Sequence, residues 1–235
     1  MCGIFFIFDK DKKISEKLLN KTINQISYRG PDNQSIFIEN NVGMAHARLS
    51  IIDLSPEANQ PYASLDNNYI IIYNGEIYNF QEIKEELIKE GIKFQTNSDT
   101  EVLLNSYIFW GESFIKKLNG MFAFVIFDKK SKEVFVGRDR FGVKPLYYFN
   151  YDNLLIFSSE IKGILNYLSK VEINTESIYE YFIFQNLLRD KTFFKHINIF
   201  PHGCFSKFNI KNSKHLKIKR YWDFCFLNES SNSND

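Results

Sequence analysis

Little in this sequence points to metals, membranes or polyanions. There are three cysteines, Cys2, Cys204 and Cys225. An odd number without metal-ligand spacing indicates neither a disulfide framework nor a zinc site. The histidines His46, His196, His202 and His215 form no metal-binding motif. No apolar run reaches the ~18 residues of a membrane-spanning helix, and charged residues begin at Asp9, too early for a secretory signal. A net charge of +1 gives no reason to expect nucleic acid or an anionic membrane as partner. No internal repeat is visible. A reducing cytoplasm is the setting these absences imply, and a free thiol persists there. What is abundant is apolar: 44% hydrophobic and 17% aromatic residues in a chain of 235, enough for a substantial core in one large domain or two small ones.

The chain opens Met1-Cys2-Gly3-Ile4. Removal of Met1 would leave a thiol and a free α-amine on one residue. A thiol of pKa ~8.5 is only slightly ionised at neutral pH, and the thiolate is the nucleophile. An α-amine titrating near ~8 can take its proton, directly or through a water. Cys2 would then be nucleophile and base together. Equally, Gly3 to Phe8 is apolar enough for position 2 to be the buried start of a strand. The opening residues alone leave both readings open.

The pattern of apolar residues predicts a strand over 4–8, a polar turn over 9–13 and an amphipathic helix over 15–27. A loop over 28–32 and short strands over 35–39 and 42–46 follow. The run 48–54 leads into a loop ending at Gln60-Pro61. Residues 69–73 read as a strand covered on both faces. Asn74-Gly75 reads as a strand-to-loop corner, because no second hairpin strand follows. Capping boxes are expected at Asn79/Glu82 and Ser98/Glu101, with Gly91 and Gly111 ending their helices. Strands are then predicted over 121–127, 134–138, 146–149 and 154–158, helices over 160–167 and 174–185, and strands near 203–208 and 218–222. Residues 228–235 read as a polar tail or linker. The order of elements implies an α+β protein with packed sheets.

Eight short stretches, in order, carry a resemblance. They are Met1-Cys2-Gly3-Ile4, Arg29-Gly30-Pro31-Asp32, Ala47 to Asp53, Tyr73 to Asn79, Ser98 to Glu101, Gly120 to Phe124, Gly137 to Gly142 and Ser159 to Lys162. Together they resemble the N-terminal glutaminase domain of glutamine-hydrolysing asparagine synthetases, class II glutamine amidotransferases of the N-terminal-nucleophile hydrolase fold. The fold so implied is a four-layer αββα sandwich of two antiparallel sheets, here over residues 2–227. The form Arg48-Leu49-Ser50-Ile51 resembles asparagine synthetases more than the phosphoribosylpyrophosphate or glucosamine-phosphate branches.

The resemblance implies hydrolysis of L-glutamine to glutamate and ammonia, with Cys2 attacking the side-chain amide and a γ-glutamyl thioester as intermediate. It casts the Asn74 amide and the Gly75 N–H as oxyanion donors. Arg48 has the planar donor group that suits an α-carboxylate, and the resemblance assigns the α-ammonium to Asp99. Groups around Leu49, Ser50, Ile51 and Ile52, and around Gly75 and Glu76, are expected to line the same pocket. Without the resemblance, Asp99 could be an ordinary first-turn acid, and Arg48 a surface ion pair. Arg29 and Asp32 are expected to shape the loop beside Cys2. Tyr78 and Asn79 are expected to position their loop and cap a helix. His46, Cys204 and Cys225 are expected to be structural, and Arg138-Asp139-Arg140 a turn held by salt bridges.

No cofactor is expected in this chain. A full synthetase of this kind carries a second, C-terminal domain that uses ATP and magnesium, marked by a Ser-Gly-Gly-x-Asp-Ser loop, and no such loop occurs here. The expected partners are therefore L-glutamine and an ammonia-accepting synthetase domain or subunit, with a homodimer also admitted.

Overall fold

The computed structural model describes residues 1–212 and 216–225. His215, residues 226–227 and the tail at 228–235 lie outside the described residues. The strands are β1 (Gly3–Asp9), β2 (Asn33–Glu39), β3 (Val42–Arg48), β4 (Tyr62–Ala63), β5 (Tyr69–Ile77), β6 (Gly120–Asp128), β7 (Glu133–Arg138), β8 (Tyr147–Tyr151), β9 (Leu154–Ser158), β10 (Ile197–Ile199), β11 (Cys204–Asn209) and β12 (Ile218–Arg220). The helices are α1 (Glu16–Gln25), α2 (Phe80–Lys89), α3 (Asp99–Trp110), α4 (Ile161–Leu165) and α5 (Thr175–Phe184). One sheet runs β10-β8-β9-β1-β3-β2 and the other β12-β11-β7-β6-β5-β4, with neighbours antiparallel throughout.

Strand alternation sorts the side chains into three apolar layers. Ile4, Phe6 and Phe8 of β1 and Val42 and Met44 of β3 meet Ile70 and Ile72 of β5 and Val125 and Phe127 of β6 between the sheets. The other face of β1, Phe5 and Ile7, packs with Leu19 and Ile23 of α1 and Ile164 of α4. The other face of β5, Ile71, Tyr73 and Ile77, packs with Leu87 of α2 and Leu103 of α3. The result is the α+β, two-sheet sandwich with helices outside each sheet.

Several elements differ from the sequence reading. β5 does not stop at Tyr73: Asn74 and Gly75 lie inside it, paired with Ala123 and Phe122 of β6. Neither capping box closes. The Asn79 side chain instead bonds the Lys117 carbonyl and the Asn119 N–H, tying α2 to the approach to β6. Ser98 does accept from the Thr100 N–H, but Glu101 turns back onto the N–H groups of Gln95 and Thr96. Gly91 and Gly111 do end their helices, with φ of +86° and +58°. β4 and β10 are too short to leave a periodic signal. The Arg138-Asp139-Arg140 turn is held by hydrogen bonds to backbone, with no salt bridge among the described residues. Asp139 accepts from the N–H groups of Phe122, Phe141, Val143 and Lys144, and Arg138 donates to the carbonyls of Gly142, Lys144 and Phe200.

Candidate active site

On β1, β3 and β5 the even-numbered side chains face the space between the sheets. Carried on toward the start of β1, the same alternation turns Cys2, His46, Arg48 and Asn74 inward. The inter-sheet layer is therefore apolar along most of its length and polar at one end. A cavity of about 340 Å³ opens there, within the size range of small-molecule sites. All ten residues singled out above for catalysis or glutamine binding line it.

The Cys2 sulfur lies 3.4 Å from the Leu49 N–H nitrogen and 3.7 Å from the Leu49 carbonyl oxygen. Burial raises the thiol's pKa, and the Leu49 N–H and the positive charges of the amino terminus, Lys144 and Arg48 pull the other way. Arg29 donates from Nε to the Cys2 carbonyl at 3.1 Å and pairs with Glu160, which anchors this end of the chain. Asp32 accepts from the Ser50 N–H at 2.7 Å. The Leu49 and Ser50 N–H groups are thus already engaged, and Ile51 and Ile52 form an exposed rim.

Asn74 is 1% exposed, and neither its Oδ1 nor its Nδ2 has a partner among the described residues. A buried, unpaired polar group costs about 1–3 kcal/mol. An amide kept there at that cost, facing a thiol cavity, has donors ready for an oxygen that arrives with the substrate. The Gly75 N–H is aimed by the strand itself. Tyr73 and Ile77 point their N–H groups away from β6, to Gln60 Oε1 at 2.6 Å and Asp99 Oδ2 at 3.1 Å. By alternation the Gly75 N–H points the same way, beyond the end of β4. Glycine is required here by close packing rather than by an unusual φ. A Cβ at Gly75 would sit 2.3 Å from the Met121 carbonyl oxygen.

Arg48 is 7% exposed. Its Nη1 donates to the Ser55 carbonyl and Asn59 Oδ1, and its Nη2 to the Asp53 carbonyl. Of its five N–H donors, Nε–H and one on Nη2 remain, a fork for a carboxylate. Asp99, the first residue of α3, accepts from the Tyr73 hydroxyl at 2.7 Å and the Ile77 N–H through one oxygen. Burial raises its pKa, opposed by those hydrogen bonds, and nearby Glu76 adds to the rise. Two neighbouring carboxylates suit an ammonium group. His46 is fully buried and bonds the Tyr73 carbonyl at 3.0 Å, a partner the sequence did not reveal. Its pKa is lowered to about 3 by burial and by Arg48, so it is neutral and serves to join the sheets.

A match to the family model of the glutamine amidotransferase domain spans residues 1–222. The chain belongs to the glutamine amidotransferase domain family. Similar proteins include asparagine synthetase [glutamine-hydrolyzing] 1 of Bacillus subtilis strain 168, 38% identical over 96% of this chain and 36% of that one. Amidase chyE of Penicillium rubens is 32% identical over 91% of this chain and 31% of that one. This amidotransferase domain thus spans about a third of the length of these relatives. Among solved structures, the glutamine phosphoribosylpyrophosphate amidotransferase of B. subtilis is alike in fold, with a TM-score of 0.67 and 19% identity over 94% of this chain and 49% of that one.

Among the residues of the amidotransferase cavity that sequence reasoning missed are Tyr73, Gln60 and Lys144. Tyr73 orients Asp99, and Gln60 bridges the Tyr73 N–H to Thr100. Both come from tertiary pairing, which leaves no local signal. Lys144 stands just past the Gly137 to Gly142 stretch, and a lone lysine ordinarily reads as surface.

Proposed function

We propose that this domain hydrolyses L-glutamine to L-glutamate and ammonia, with Cys2 as nucleophile. The observation that carries the reading is the unpartnered Asn74 amide beside the Gly75 N–H at the thiol cavity. With Met1 removed, the Cys2 α-amine takes the thiol proton. The sulfur attacks the side-chain amide carbon, and the oxygen gains negative charge between Asn74 Nδ2 and the Gly75 N–H. The proton passes to the departing nitrogen, the C–N bond breaks, and ammonia leaves a γ-glutamyl thioester. Water then attacks the thioester, releasing glutamate and restoring the thiol. Arg48 holds the α-carboxylate through its two remaining donors, and Asp99 with Glu76 holds the α-ammonium.

The ammonia is destined for an asparagine-synthetase-type acceptor, and any ATP and magnesium belong to that partner. The cytoplasm, where Cys2 stays reduced, is the compartment. The length of the relatives and the surface of α5 support a partner. Tyr179, Phe182, Ile183 and Phe184 of α5 are 57–73% exposed, and only Ser177 in that helix is buried. A monomer rarely leaves so continuous an apolar helix to water.

Glutamate release by the purified chain, with intact mass to establish loss of Met1, tests the reading. Turnover well above that of Cys2→Ala is expected. Turnover equal to it overturns hydrolysis by the chain alone. Glutamine binding with turnover restored only by a synthetase chain would identify a domain silent without its partner.

A further inference from the structure

Lys144 is 5% exposed and lines the same cavity as Cys2. Its ammonium has no ion pair and no hydrogen bond among the described residues. The side chain is thus almost wholly buried, while its ammonium still meets solvent at the cavity. Its loop is built to hold it there. The Asp139 carboxylate accepts from the Lys144 N–H at 3.0 Å, and Arg138 Nε donates to the Lys144 carbonyl at 2.8 Å. Gly142, with φ of +67°, makes the turn. Phe141 and Val143 are exposed on either side of the turn, and only Lys144 is drawn inward.

We propose that Lys144 is a positioning residue for the Cys2 reaction, its ammonium supplying the counter-charge for the thiolate and for the negative charge that develops beside it. This deepens the glutamine-hydrolysis reading and rests on it for the reaction, though the effect on the thiol does not. The groups facing Cys2 leave this role to Lys144. Arg48 comes from the end of β3, but its guanidinium is committed to the 53–59 loop. Arg29 holds the Cys2 carbonyl and is paired with Glu160. Tyr73 and Glu76 on β5 and Asp99 on α3 bring no positive charge, and His46 is neutral. The amino terminus becomes the base once Met1 is gone, and an α-amine free to take the thiol's proton carries no charge of its own before it does so. Lys144 is then the one side-chain cation lining the cavity with Cys2 that is not engaged elsewhere among the described residues.

The test needs no glutamine, so its failure is distinct from failure of the hydrolysis reading. Iodoacetamide alkylation is followed against pH and read at the Cys2 peptide by mass spectrometry, with exposed Cys225 as the internal control. The same amino-terminal processing state is used throughout, checked by intact mass. Lys144→Met is expected to move the Cys2 midpoint up by about one pH unit, roughly a tenfold loss of thiolate at neutral pH, with Cys225 unchanged. Lys144→Arg, which keeps the charge, is expected to stay near the parent. Circular dichroism verifies folding, and Lys144→Gln replaces the methionine variant should that one not fold. A Cys2 profile unmoved in the folded neutral variant overturns the proposal. So does an arginine variant that shifts as far as the neutral one, because the residue would then act through packing.

Discussion

Asn74 illustrates how much a single side chain can reveal once its partners are counted. An amide in a strand interior ordinarily satisfies itself against neighbouring backbone. Asn74 is inside β5, paired across from Ala123, and still leaves both polar atoms unmatched. Removing it should separate stability from function. Asn74→Ala is expected to lower kcat for glutamine hydrolysis about 10²–10³-fold, the usual effect of losing an oxyanion donor. KM should change little, because the donors act on charge that appears only in the transition state. The melting temperature should not fall, since an unsatisfied buried group has been deleted rather than a bond. Steady-state kinetics and a thermal melt on one preparation check both halves. A large loss of stability with intact kcat would show that the amide is structural.

At the scale of elements, the site depends on how closely β5 and β6 approach. Gly75 faces Phe122 with no room for a methyl group, its Cβ position falling 2.3 Å from the Met121 carbonyl oxygen and 2.8 Å from the Phe122 Cα. Backbone on the neighbouring strand cannot swing away as a side chain can. Gly75→Ala is therefore expected to part the strands, costing about 1–3 kcal/mol as overpacking does, and to turn the Gly75 N–H away from the cavity. Urea titration and glutaminase assays should report both losses together. That requirement was not legible in the sequence, where Asn-Gly after an apolar run reads as a strand-to-loop corner; only the partner strand shows why a glycine stands in mid-strand. What could be read was periodic. The apolar runs of β1, β5 and β6 and the amphipathic face of α1 announced themselves. So did the order of motifs that placed Cys2, Arg48, Asn74 and Asp99 in one family. What stayed hidden depends on distant pairing: the Glu101 bonds that replace a capping box, the two-residue β4, the Tyr73–Asp99 contact and the inward turn of Lys144.

Across the whole molecule, the two sheets meet through an apolar layer that closes on one buried imidazole. His46 of β3 reaches the Tyr73 carbonyl of β5, so its protonation state bears on how the sheets hold together. Burial keeps its pKa at about 3, with Arg48 adding to the depression, whereas an imidazole in the unfolded chain titrates near ~6.5. Between those values the unfolded chain binds a proton that the native protein refuses. The unfolding free energy therefore falls as the pH is lowered through this window, and the contribution is fully present only above the unfolded value. From pH ~6.5 to ~5 this one group should remove about 2 kcal/mol. Asp99 works in the opposite direction, because its raised carboxyl pKa favours the native state as it takes up a proton. The difference between proteins is thus the useful quantity. His46→Gln can still donate to the Tyr73 carbonyl but does not titrate. Its unfolding free energy, from urea titrations at pH 7 and pH 5, should fall less than the parent's by about that amount. Equal slopes would mean that the imidazole gains its proton without parting the sheets.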